Sequence, residues 1–373
     1  MRVTGTYLKI GDIEHFIPNP LPPQNPPLQL TQELTMLYGE ASFQLGQLNA
    51  LAAQLPDPQR FIKAYVIKEA LLSSAIEGIH TTLFDVYSQT LVDSKPNKET
   101  ELVLNYTNAL DISLAMITKE GLPIANRVIL GAHKALMTLC GEDHSNPGNF
   151  RKQAVRVGEL VPPPASQVPD LMGEFESYIN RSDDYPPLIK TGLAHVQFET
   201  IHPFLDGNGR IGRMLIVLML IKNELLSIPA LYPSYYFKKH HSEYYMRLNA
   251  VRTVGDFEGW LAYYLKAIRD SSLDAFKRIK QIQALEEEIQ QLIRNDSILG
   301  KMGEAPYQAL DLMFQMPIVN IRELSKHLNK TYNTSSKIIL QFVALGFLQE
   351  VTKQKRDKLY RFDPYITLLE NGY

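Results

Sequence analysis

The sequence predicts a mainly α protein with a small α+β module at its C-terminal end. Three observations lead there. Apolar residues recur at helical spacing through successive segments from about residue 28 to 295, with prolines and glycines placed between them. Residues 214–221 form a continuously apolar run of eight, suited to a buried helix and too short to span a bilayer. Beyond Glu304 the pattern shifts to three short helices followed by two strand-like runs.

The elements follow in order. Residues 18–27 are proline-dense and read as an extended arm. Residues 28–55 and 59–76 read as two helices joined at Pro56-Asp57-Pro58, with Pro58 at a first-turn position and Gly78 as the stop. Helices are expected at 99–118, 127–139, 168–179 and 189–201. A buried helix then begins near Arg210, residues 223–233 form a loop, and residues 256–294 make one or two long helices. Residues 151–158 alternate in part, end at Gly158 and precede Pro162-Pro163-Pro164, which suggests a short hairpin or edge strand. Helices at 307–316, 320–328 and 331–345, with strands at 347–350 and 358–362 around the basic loop 353–356, look like a winged helix. From Lys301 onward ten Lys and Arg face seven Asp and Glu, a modest surplus that suits DNA or protein contact equally. The expected blocks are 1–95, 96–295 and 300–373.

Composition narrows the class. Hydrophobic residues make up 45% and charged residues 21% of 373, ordinary globular values, and the formal net charge of −2 announces no nucleic-acid field. The single cysteine, Cys140, excludes internal disulfides. The first 27 residues lack a cationic start followed by an apolar core, so no signal peptide is expected. A soluble cytoplasmic enzyme with no membrane partner is the expectation.

The chemistry concentrates in residues 202–213, His-Pro-Phe-Leu-Asp-Gly-Asn-Gly-Arg-Ile-Gly-Arg. Gly207, Asn208 and Gly209 form a turn before an apolar helix. The amides of such a turn and the helix N-terminus make an anion hole. Arg210 and Arg213, three apart, fall on one helix face and can grip a polyphosphate. Asp206 can hold a magnesium ion bridging phosphates. His202 stands across the turn with an ordinary pKa near ~6.5, suited to taking a hydroxyl proton. No Gly-x-x-x-x-Gly-Lys-Ser/Thr occurs, so a P-loop is excluded.

Residues 202–213 match every fixed position of His-Pro-Phe-x-Asp-Gly-Asn-Gly-Arg-x-x-Arg, and on that stretch the chain resembles the Fic family. The resemblance implies a helical Fic-type core that transfers AMP from ATP to a Ser, Thr or Tyr hydroxyl of a target protein, releasing diphosphate. His202 is then the general base and Asp206 the Mg2+ ligand. Asn208 and the turn amides hold the α-phosphate, and Arg210 and Arg213 the outer phosphates. The nucleotide-binding stretch runs through Gly207, Asn208, Gly209, Arg210, Ile211, Gly212 and Arg213. Ser73-x-x-x-Glu77-Gly78 fits the family's inhibitory pattern. Ser73 and Glu77, four apart on one helix face, would take Arg213 from the γ-phosphate, with Glu77 lying at the nucleotide. Val155, Arg156, Val157 and Gly158 correspond to a flap that covers the nucleotide and receives the target by strand addition. Tyr244, Tyr245 and Arg252 correspond to the adenine side. Expected partners are ATP, the target protein, a second copy of the chain, and DNA through the C-terminal module. Two other readings stay open: a DNA-binding regulator that senses nucleotide, and removal of AMP with Glu77 positioning water.

Overall fold

The computed structural model describes residues 2–55, 57–91, 95–138, 146–182, 185–352 and 357–370. Two strands, β1 (Gly5–Ile10) and β2 (Ile13–Pro18), open the chain as an antiparallel hairpin, with Gly5 opposite Pro18 and Ile10 opposite Ile13. The sequence reading placed no element before the proline-dense arm at 18–27, and this hairpin fills that stretch. The signal was present: two apolar runs separated by Gly11-Asp12, with Gly11 at φ +61.

The helices then follow their punctuation. Helix α1 (Gln32–Ala53) starts at Thr31, whose Oγ1 accepts from Leu34 N at 3.2 Å. Helix α2 (Pro58–Ile76) begins on proline and stops before Gly78, which sits at φ +77. A capping box of Thr82 and Asp85 starts α3 (Leu83–Ser88), and Asn97 caps α4 (Lys98–Thr118). Helices α5 (Asn126–Met137), α6 (Val168–Asn180), α7 (Pro187–Ile201), α8 (Asn208–Lys222), α9 (Ser234–Lys239) and α10 (His241–Val254) complete the core. The expected helices at 28–55 and 127–139 are shorter than read, and Leu139 lies outside the described residues.

The expected one or two long helices are a single one, α11 (Phe257–Asn295), 39 residues capped by Asp256. It packs along α1 and α7 and reaches the C-terminal module. Trp260 on α11 is fully buried and donates Nε1 to Gly192 O at 2.8 Å. A Cβ at Gly192 would stand 2.7 Å from Tyr264 Cδ1, so only glycine lets α7 and α11 approach this closely. Helix α8 is buried nearly all round, and each enclosed Leu, Ile or Met contributes roughly 1.5–3 kcal/mol. Apolar residues of all three expected blocks join one continuous core.

The C-terminal module holds α12 (Ala305–Gln315), β3 (Ile318–Val319), α13 (Ile321–Leu328), α14 (Tyr332–Ala344), β4 (Leu348–Glu350), β5 (Tyr360–Phe362) and α15 (Asp363–Glu370), with sheet order β3-β5-β4. Strand β3 and helix α15 were not anticipated. The basic loop 353–356 lies outside the described residues. Among the described residues, no helix is long and apolar enough to cross a membrane.

Candidate active site

The site is built where α7 ends and α8 begins. His202 leaves the helix in the left-handed region, φ 51 and ψ 64, and Pro203 forbids its continuation. Gly207, at φ +79, caps α8 two residues earlier than the sequence suggested. Asn208 is buried, and both ends of its side chain are committed. Oδ1 accepts from Phe204 N at 2.8 Å, and Nδ2 donates to Phe204 O at 2.9 Å. It therefore braces the loop, and what it leaves for an anion is its main-chain N–H. The first-turn amides of α8 have no carbonyl one turn back to bond, which leaves them for a ligand.

Two buried arginines flank that helix start. Arg210 lies 3.4 Å from Asp206 Oδ1 through Nη2, while its Nε and Nη1 have no hydrogen-bond partner among the described residues. Unmet donors on a buried cation are costly unless a ligand meets them. Arg213 is instead engaged through Nε and Nη2: Nε donates to Ser73 Oγ at 2.8 Å, and Nη2 donates to Ser73 O at 2.9 Å and Glu77 Oε1 at 2.7 Å. A Cβ at Gly209 would fall 2.2 Å from Glu77 Oε1, so Glu77 lies directly over the first turn of α8.

The titratable groups are strongly biased. Burial lowers the His202 pKa to about 3, with Arg252 and Arg151 acting in the same sense, so the imidazole is neutral at physiological pH. Burial raises Glu199 to about 7; Glu77 pushes it further, and Arg213 and Arg252 oppose. Asp206 is 64% exposed and accepts from Gly207 N at 2.5 Å. No group of three or more metal-ligating side chains occurs among the described residues. One exposed carboxylate beside unmet phosphate donors still fits Mg2+, which commonly binds through one or two carboxylates plus substrate phosphates.

Three expectations need correction. Tyr244 is in the core, not beside an open base site: it is 1% exposed, and its hydroxyl bonds His195 Nε2 at 2.8 Å. Because His195 Nδ1 donates to Gly212 O at 2.9 Å, its Nε2 must accept the Tyr244 proton. Arg252 is likewise buried, donating to Thr200 Oγ1 at 3.0 Å beneath the motif. Only Tyr245 remains half-exposed at the rim, its pKa pushed up to about 12 by burial and by Glu77. The third concerns the flap. Instead of a hairpin with two strands, residues 151–164 form a turn closed by one antiparallel bridge, Val157 to Leu160, with Gly158 at φ +58. Val155 and Val157 are half-buried, and Arg156 and Gly158 exposed.

Sequence reasoning missed His133 and Arg151 as parts of the site. His133, fully buried, donates Nε2 to Asp206 O at 3.1 Å and stacks on Phe204 with ring centroids 3.7 Å apart. Arg151 donates Nε to His202 O at 2.8 Å. Both act across long sequence separations and leave no local pattern.

Two buried arginines and a neutral imidazole thus surround a glycine-capped helix start within a mainly α core. The Fic/DOC family model matches residues 123–220 and the Fic/DOC family N-terminal model matches residues 35–115. Over these two segments the chain is similar to the Fic/DOC family. It is 28% identical over 241 residues to the protein adenylyltransferase Fic of Drosophila grimshawi, covering 62% of this chain and 47% of that protein. To its namesake in Aedes aegypti it is 28% identical over 214 residues, covering 55% and 40%. The chain thus spans about half the length of the curated relatives it matches. A Fic family protein from Desulfovibrio desulfuricans G20 shares the fold with a TM-score of 0.55 at 23% identity, over 90% of this chain and 98% of that one. Fic-1 from C. elegans gives 0.53 at 20% identity, over 66% and 74%.

Proposed function

We propose that the protein transfers AMP from ATP to a Ser, Thr or Tyr hydroxyl of a target protein, releasing diphosphate, and that Glu77 restrains the transfer. The observation that carries this reading is the loop 202–210, which joins a neutral imidazole to a buried guanidinium with unmet donors across one helix start. In the reaction, the first-turn amides of α8 and Arg210 hold the phosphates. His202 takes the proton of the target hydroxyl, whose oxygen attacks the α-phosphorus as the bond to diphosphate breaks. Asp206 is the residue that would hold Mg2+, which when bound neutralises charge on the phosphates.

Arg213 is the restrained part. With Ser73 and Glu77 on its donors it cannot grip the outermost phosphate, so ATP binds with its reacting bond poorly aligned. The stretch before Gly158, with Arg156 exposed and Val155 and Val157 half-buried, presents main chain to an incoming target strand. The stretch after it is partly taken, because Phe16 N of β2 donates to Val161 O at 2.9 Å.

The test is incubation with target-containing lysate and ATP labelled on either the α- or the γ-phosphate, using the Glu77→Gly protein. Label entering protein from the α position only is expected. Label from the γ position, or none from either, would refute the reading.

A further inference from the structure

We propose that Arg151 is the positioning residue of His202, and that with His133 it staples the loop 202–207 at both ends to the segment carrying the flap turn. The imidazole Nδ1 has no hydrogen-bond partner among the described residues. Its placement is therefore inherited from the backbone. That backbone is in the left-handed region, which a non-glycine residue holds only when its surroundings impose it.

Arg151 imposes it. Its side chain is 2% exposed and its donors all end on carbonyls. Nε reaches His202 O at 2.8 Å, Nη2 reaches Pro163 O at 2.6 Å and Ile201 O at 3.4 Å, and Nη1 reaches Gln153 O at 3.0 Å. The Arg151 main-chain N–H adds a bond to Pro203 O at 2.9 Å. One planar fork thus ties the base to both sides of the flap turn, an arrangement that a lysine ammonium cannot reproduce. At the other end His133 Nδ1 accepts from Gly148 N at 3.0 Å while Nε2 donates to Asp206 O at 3.1 Å. The base and the proposed metal carboxylate therefore move with the flap segment as one body, so that a target strand docked there meets an imidazole already in place.

The kinetic arm of the test rests on the adenylyl-transfer reading; the exchange arm does not. Arg151→Lys and Arg151→Met are compared with their parent in the Glu77→Gly background. Amide exchange within 202–209 should quicken while α11 keeps its protection. The kcat should fall about 10–100-fold with KM for ATP within about twofold, since a misplacement near 1 Å costs that order of rate. Lysine should restore less than a tenth of the parent rate. Unchanged exchange in 202–209, quickened exchange throughout α11, or a parental kcat would overturn the proposal. An inactive parent would instead count against adenylyl transfer and leave the exchange result to decide the staple.

Discussion

Removing the Glu77 carboxylate should release the enzyme, and the structure sets the size of the effect. Glu77 Oε1 accepts from Arg213 Nη2 at 2.7 Å, with the arginine 1% and the glutamate 33% exposed. A hydrogen bond to a charged group contributes about 1.5–3 kcal/mol. At about 1.4 kcal/mol per factor of ten, freeing Arg213 corresponds to about a 10–150-fold rise in transfer. The one-third exposure of Glu77 puts the expectation toward the lower end. Arg213 stays in place in Glu77→Gly because Ser73 still accepts at its Nε and Nη2. Glu77→Gln keeps the shape without the charge and should fall between native and glycine proteins. The assay is initial-rate incorporation of α-labelled AMP, with ATP affinity measured alongside. A rate unchanged within about twofold at saturating ATP would refute the claim that this contact restrains Arg213.

Other outcomes follow from the same geometry. Glu199 has its folded pKa raised to about 7 from 4.5 by burial, so the stability linked to its neutral form is present at low pH and lost as pH rises through 7. The advantage of Glu199→Gln over native protein in urea unfolding should therefore grow between pH 5 and 8, by up to about 3 kcal/mol. Gly212→Ala places a Cβ 2.3 Å from Glu199 Oε1 and should lower stability by about 1–3 kcal/mol, read as a fall in Tm. Asn208→Ala removes both bonds to Phe204 and strands buried main-chain groups. It should cost about 1–3 kcal/mol in urea unfolding and slow the Glu77→Gly enzyme about tenfold or more.

Much of the fold was legible because its punctuation is local. Pro58 at the start of α2 and Gly78 after it mark helix ends from nearest neighbours alone. The motif was legible for the same reason, since its loop and helix start are contiguous. What stayed hidden depends on facing. Tyr244 and Tyr245 are adjacent, yet one is packed in the core and the other opens to the rim; only the packing of α10 decides which. The N-terminal strands carry apolar residues that remain exposed, Tyr7 and Ile10 among them, so the period-two burial signal was weak. Arg151 and His133 take their meaning from carbonyls 51 and 73 residues away, which no window along the chain displays.

The most direct measurement separates binding from chemistry in one protein. Glu77→Gly/His202→Ala retains the α8 amides, Arg210 and a released Arg213, and loses only the imidazole. Calorimetry should show ATP affinity within about threefold of Glu77→Gly, while incorporation of α-labelled AMP falls by about a hundredfold or more. Transfer surviving at the Glu77→Gly rate would contradict a catalytic base at His202, and ATP affinity lost together with transfer would contradict a phosphate cradle independent of it.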